Sequence, residues 1–314
     1  MDCRYSQSLT LNSSLMPNRI ARILGTSLLV LVLALLVLAA TLYGLSERRL
    51  NKRYAPAVTP VVVRSDSAGI ARGEHLYRSL TCALCHAEDG GGAVYSDAGP
   101  IGFLAGPNLT RGRGGVAATR SDLDWVRAIR LGVRQDSTSL IVMPSEVFTH
   151  INDADLGAIL AYLRQLPPVD REMERSHFRW LGRAMLATGR MNILVAPKTH
   201  GDIERSTVPE AVTKEYGRYL ADIAGCHGCH GFGLSGGAVA GPPGLPPASN
   251  LTPTGIGTWT EQQFVTVMRT GQRPDGTVLH EFMPWRAFRH MSDVELGALW
   301  QYLQGVPPKA FGGK

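Results

Sequence analysis

At 314 residues the chain is long enough for about two domains of ordinary size, each able to bury its own core. Its net charge of +6 is unevenly spread: residues 1–53 hold seven Lys or Arg against two acidic residues, and residues 54–314 hold 25 against 24. The basic excess belongs to the flanks of one segment and gives no support for nucleic-acid binding.

That segment is the first predicted element. Ile23 to Leu45 contains no charge and is rich in Leu, Val and Ala. As a helix it would reach roughly 34 Å, enough to cross a hydrocarbon core of about 30 Å. A cleaved signal peptide, whose apolar stretch runs only about 7 to 15 residues, fits the length less well. Residues 1–22 are read as the segment before the span, 23–45 as a transmembrane helix and 46–65 as a linker. Cys3 precedes the span as an unpaired thiol of no evident role.

A helix around Ile70 to Leu80 leads into Cys82-Ala-Leu-Cys85-His86, and a glycine-rich loop follows, ending at Asn108-Leu109-Thr110. Ser121 and Asp124 start a middle helix carrying Trp125 and Ile129 on one face. Asn152 and Asp155 cap a last helix, with Ile151 packing on Leu156, and Pro167-Pro168 end it. A charge-dense connector, 169–208, comes next; Phe178, Leu181 and Met185 recur at helical spacing there and predict a short amphipathic helix lying across a neighbouring unit.

The whole arrangement then returns. A helix from Glu215 to Ile223 enters Cys226-His-Gly-Cys229-His230, Asn250-Leu251-Thr252 repeats the earlier tripeptide, and Thr260 with Gln263 starts a middle helix bearing Phe264 and Met268. Ser292, Glu295, Met291 and Leu296 reproduce the last cap, before Pro307-Pro308. The chain is thus a tandem duplication of a small all-α unit of about 100 residues, with units expected at 66–168 and 209–314.

Cys-x-x-Cys-His reads as a c-type haem attachment site: two thiols for thioether bonds and an imidazole for the iron, supplied by one compact turn. Cys82, Cys85 and His86 form one such set, and Cys226, Cys229 and His230 the other. A zinc site or redox dithiol would leave the adjacent histidine and the repeat unexplained. Opposite the histidines, a methionine would complete the iron's coordination and raise its reduction potential. Met143 and Met283 stand at matching places, each followed by proline, whereas core filler has no reason to recur in register. Met173, Met185, Met191 and Met268 are read as filler. His150 and His290 recur too, as weaker rivals at a helix entry, and His280 is a rival in the second unit alone. The two Asn-Leu-Thr tripeptides match a glycosylation sequon, but a duplicated turn beside the haem is the better reading. Arg130, Arg134, Arg269 and Arg273 are placed either on solvated helix faces or beside the haem propionates.

These stretches, with "NLTP", "GTWTEQQF", "MRTGQRPDG" and "MPWRAF", resemble the class I cytochrome c family, and among its members the cytochrome c subunits of membrane-bound alcohol and gluconate dehydrogenases. The resemblance implies two tandem cytochrome c domains behind an N-terminal transmembrane helix, with two covalently bound haem c groups. It implies close helix crossing at Gly73 and Gly217, Tyr162 and Tyr302 on the terminal helices, and carbonyls of Pro107 and Pro247 orienting the proximal histidines. The expected function is single-electron transfer between respiratory or dehydrogenase partners, as an electron carrier without catalytic residues. The positive charges around the span do not fix its orientation; haem attachment in the resembled families places the haem domains on the periplasmic side of a bacterial inner membrane. Those subunits usually carry three haem motifs and a C-terminal anchor, unlike this chain, and the first unit has "AATRS" where the second has "GTWT". The alternatives are a dihaem subunit of a cbb-type terminal oxidase and a haem enzyme of peroxidase type.

Overall fold

The computed structural model describes residues 16–199, 203, 205–241 and 244–313; Cys3 lies outside them. The first helix, α1, runs from Met16 to Leu50, beyond the apolar stretch at both ends, so the first residues of the expected linker are helical. Its part Arg19–Leu50 is long and apolar enough to cross a membrane. The hydroxyls of Thr26 and Thr41 donate to carbonyls one turn back, Arg22 and Val37, at 2.9 and 2.8 Å, so neither presents an unsatisfied donor.

The two halves that follow repeat each other helix by helix. In the first, α2 (Ser67–Ser79), the short α3 (Cys82–His86), α4 (Asp122–Leu131), α5 (Ser145–Phe148) and α6 (Asp153–Gln165) appear in order. After the connector helix α7 (Trp180–Ala187), the second has α8 (Lys214–Ile223), α9 (Cys226–His230), an added turn α10 (Pro253–Ile256), α11 (Glu261–Thr270), α12 (Trp285–Phe288) and α13 (Asp293–Gly305). The local chemistry expected of the sequence is in place. Ser121, Thr260 and Ser292 form capping boxes with Asp124, Gln263 and Glu295. Trp125, Ile129, Phe264 and Met268 turn into the core, as do the stapled residues Ile151, Leu156, Met291 and Leu296.

The first helix of each half crosses the last at a glycine. A β-carbon on Gly73 would sit 2.0 Å from the Ala158 carbonyl oxygen, and one on Gly217 2.0 Å from that of Ala298. Backbone meets backbone there, so the crossing has no room to yield. Gly217→Ala is expected to destabilise by about 1–3 kcal/mol. Gly297→Ala, whose added methyl would meet only side chains of Glu261 and Val212, is expected to stay within about 1 kcal/mol. Thermal unfolding of the two variants followed by circular dichroism checks the contrast.

Three expectations are corrected. The chain is not purely helical: Ala93–Asp97 (β1) pairs antiparallel with Gly102–Gly106 (β2), which pairs with His177–Phe178 (β3). Strand-forming Val94, Tyr95, Phe103 and Leu104 flank a turn at Gly99, and their glycine-rich surroundings read as a loop. Phe178 therefore belongs to a strand, and α7 begins only at Trp180. Met185, read as filler, lies half-exposed on α7; Met268 is buried and Met191 packs on the Phe178 cluster, as filler does.

The connector does not hang between the halves; it binds the first. Val169 and Arg171 carbonyls accept from the Asn108 amide, Arg171 pairs with Asp89 through both guanidinium nitrogens at 3.2 and 2.9 Å, and the Ile193 carbonyl accepts from the Val142 amide.

One apolar core runs through both halves, joining Tyr77, Trp125 and Leu156 to Tyr216, Phe264 and Leu296. A polar cluster sits in the joint. Arg72 holds Asp155 of its own half at 3.0 Å and Glu295 of the other at 2.9 Å, with the Tyr216 hydroxyl 3.3 Å away. His75 meets Glu295 at 2.7 Å, and Tyr219 donates to Asp155 at 2.7 Å. Under the repeat, Tyr216 and Tyr219 occupy the places of Arg72 and His75, and Glu295 that of Asp155. The cluster is thus a pseudo-twofold contact whose two sides carry different side chains.

Candidate functional site

Two matched sites follow from the repeated elements. In each, the residue before the first cysteine takes a left-handed turn, Thr81 at φ 69° and Gly225 at φ 75°, and the five-residue helix after it winds both cysteines and the histidine into one turn. All four thiols are unpaired. Burial pushes Cys82 and Cys226 up to about 12, Cys85 adding to the first and Asp222 to the second, and burial also raises Cys85 and Cys229. Thiols so held are protonated near neutrality, unlike the low-pKa thiolates of reactive dithiols. Among the described residues no three His, Cys, Asp or Glu side chains are gathered for a metal ion, so the four cysteines do not share a zinc site.

The imidazoles of the two motifs are oriented alike. His86 Nδ1 lies 3.0 Å from the Pro107 carbonyl and His230 Nδ1 2.7 Å from that of Ser249. With a carbonyl as partner, Nδ1 carries the proton and the Nε2 lone pair is free for a metal. Burial lowers the pKa of both histidines, against the opposing effect of those carbonyls, and so favours the neutral, ligating form. The expected Pro247 is corrected to Ser249. The tripeptide register already held that answer, since Pro107 and Ser249 each immediately precede Asn-Leu-Thr.

That tripeptide is a buried turn. Asn108 accepts from the Thr110 amide and hydroxyl at 2.9 and 2.8 Å, and Asn250 from those of Thr252 at the same distances. Each asparagine donates in turn to the chain after its half's last helix, at Val169 or Lys309, so neither is open to a glycan.

Met143 and Met283 are equally matched. Each is half-buried against the continuous core that also receives Cys82 and Cys226, and each carbonyl accepts from the amide two residues on, Ser145 or Trp285, at 2.8 Å. Of the rival histidines, His280 has a local partner. His280 Nδ1 accepts from the Phe282 amide at 3.1 Å. His150 and His290 have pKa values lowered by burial; Asp222 and then Arg205 and His227 act on the first, and Arg289, Glu88, Arg78 and His75 on the second. Both thus sit beside groups of the other half.

The four arginines divide. Arg130 donates to the Ile151 carbonyl and Asp153, and Arg269 to the Arg289 carbonyl and Asp293, fastening the middle helix to the start of the last. Arg130 is buried and so off any solvated face, whereas Arg269 is partly exposed and its partner Asp293 is 91% exposed, as on a solvated helix face. Arg134 is different: burial lowers its pKa, Asp136 opposes this, and Arg175 and Arg120 lower it further. Arg120, also lowered by burial, acts on His86 as well. Arg134 also donates to the Thr138 hydroxyl and the Ser139 carbonyl, so Arg120 is the cation that acts on His86, and its charge suits a haem carboxylate beside thiols and an imidazole of the right chemistry. Arg120 was not foreseen; it stands in "AATRS", where the second half has Trp259 of "GTWT".

The cytochrome c family matches residues 70–167. The chain is 26% identical over 293 residues to the fructose dehydrogenase cytochrome subunit of Gluconobacter japonicus, covering 84% of this chain and 58% of that one. It is 26% identical over 271 residues to the cytochrome c subunit of the quinone-dependent alcohol dehydrogenase of Gluconobacter oxydans, covering 77% and 56%. A dihaem c-type cytochrome of Cereibacter sphaeroides is 27% identical over 267 residues, covering 76% and 86%. The chain therefore spans less than three-fifths of the length of those two dehydrogenase subunits. With a Cys-x-x-Cys-His turn, an oriented imidazole and a buried asparagine turn in the matched region, the chain carries a cytochrome c domain and is a relative of the cytochrome c subunits of dehydrogenases.

Proposed function

We propose that the protein is a membrane-anchored dihaem cytochrome c, with tandem domains at 66–168 and 209–314 behind a span at 23–45, passing single electrons between membrane-bound partners on the periplasmic side. The observation that carries this is the duplication of one chemical arrangement: two thiols, a carbonyl-oriented imidazole and a methionine in the same register of each half. Cys82 and Cys85 would hold one haem c covalently and Cys226 and Cys229 the second, and His86 with Met143, and His230 with Met283, would bind the two irons. Bound haem c supplies the one-electron couple. The chain's own part is to fix both imidazoles in one tautomer, bury the sites and hold them in a common frame. The relatives named as dehydrogenase subunits support a dehydrogenase as the electron donor.

Intact-mass measurement on the purified protein is expected to give two covalently attached haems per chain. The reduced protein is expected to be low-spin and to bind no carbon monoxide. A mass with one haem or none defeats the dihaem reading, and carbon monoxide binding by the unaltered protein favours an enzyme with an open iron.

A further inference from the structure

The connector helix α7 has two unlike faces. Gly182, Leu186 and Ala187 are buried, and a β-carbon on Gly182 would lie 2.0 Å from the Ile101 carbonyl oxygen, so this face is pressed onto the turn between β1 and β2. The outer face carries Trp180, Leu181, Ala184 and Met185, without a charge among them; Trp180 is 72% exposed and the others are half-buried. An exposed tryptophan leading an uncharged helix face is costly in water and common where a helix lies in a membrane interface.

The position of α7 says what covers that face. Arg183 donates to Ser46 Oγ at 3.1 Å and Glu47 Oε1 at 2.5 Å, and its guanidinium lies 4.4 Å from the ring centre of Tyr43. Leu50 packs with Phe178 and Leu186. The helix is therefore fastened to α1 where the charge-free run ends and Glu47, Arg48 and Arg49 begin. Arg48, Arg49 and Arg190 are exposed, and Arg49 reaches Gly189 just beyond α7. An uncharged face continuous with the end of a membrane span and flanked by guanidiniums matches a leaflet surface with anionic headgroups.

We propose that α7 lies in the headgroup boundary of the leaflet from which α1 emerges, with Trp180, Leu181 and Met185 against lipid, so that the first half is seated on the bilayer and not merely tethered to it. The proposal rests on α1 being a span. Its consequence is positional: β3 leads directly into α7 and pairs with β2, and a β-carbon on Gly106 of β2 would touch the Cys85 carbonyl at 2.0 Å. Seating α7 therefore sets the height of the first Cys-x-x-Cys-His turn above the membrane.

The test uses the full-length haem-loaded protein in nanodiscs of mixed phosphatidylcholine and phosphatidylglycerol, with Cys3→Ser as background. Single nitroxide labels are placed at Trp180→Cys, Met185→Cys, Leu33→Cys within the span, and Phe232→Cys, a position 98% exposed. Relaxation by oxygen is compared with relaxation by a water-soluble nickel chelate. Labels at 180 and 185 are expected to favour oxygen as at 33, opposite to 232. Favouring nickel at 180 and 185 while 33 favours oxygen overturns the seated helix and leaves the span intact; favouring nickel at 33 also overturns both. Labels open to nickel in nanodiscs but shielded in native membranes would give the face to a protein partner and likewise overturn the proposal.

Discussion

Replacing Arg72 by methionine is expected to destabilise the folded protein by about 3–5 kcal/mol, the cost of leaving buried carboxylates without their cation. Glu295 is only 1% exposed, and Arg72 bridges it to Asp155 across the joint between halves. His75 remains as a partner for Glu295, but nothing replaces the guanidinium between the two acids. Thermal unfolding of the haem-loaded variant measures the loss; a change under about 1 kcal/mol would show that the cluster is solvated and that the halves are held by apolar contact alone. The double variant with Glu295→Gln is expected to lose less than the sum of the single changes.

The same cluster shapes the acid limb. Burial raises the Glu295 carboxyl, but His75, the Ser292 amide and Arg72 outweigh it, so its pKa in the folded protein is lowered. A depressed carboxylate contributes fully above its unfolded value of about 4.3, and that contribution is lost as pH falls through the lower folded value. Glu295→Gln is expected to flatten the stability profile in that window, and an unchanged acid limb would remove Glu295 from the account.

Met143→Ala and Met283→Ala are the substitutions expected to change the chemistry most. Under the proposed ligation each opens one coordination position and lowers the potential of one haem. Each single variant, once reduced, is expected to bind one carbon monoxide per chain and the double variant two, measured by optical titration alongside potentiometry. Because the two methionines share burial against the core and the same carbonyl bond to the amide two residues on, the variants should behave alike. A variant with an unaltered spectrum and potential would refute its ligand assignment, and His150 or His290 would then be tested in its place.

Much of this was legible in the sequence because it is written in local spacing. The caps at Ser121, Thr260 and Ser292 and the Cys-x-x-Cys-His turns each depend on residues within a few positions of one another, while the crossing glycines, whose partners lie about 80 positions away, came from the family resemblance. What escaped depends on chain segments far apart. Strand β2 is completed by β3, more than 70 residues later, so its glycine-rich surroundings gave no period to read. Arg130, expected either on a solvated face or beside a propionate, is buried with partners at Ile151 and Asp153 on the following elements. The carbonyl holding His230 was misplaced because proline was matched by residue type, when the tripeptide register pointed to Ser249. The polar joint was unreadable for the same reason: Arg72 and Glu295 are 223 positions apart.

The unlike sides of that joint carry a lesson about pairing. Were two second halves to meet through this contact, a pair of buried glutamates would have tyrosine hydroxyls for partners and no cation, whereas a first half brings Arg72 together with its own Asp155. The glutamate of a second half thus depends on a first half for its cation. The unlike sides therefore disfavour a contact between two second halves, and the linker, by keeping each chain's own first half at high local concentration, supplies the missing cation.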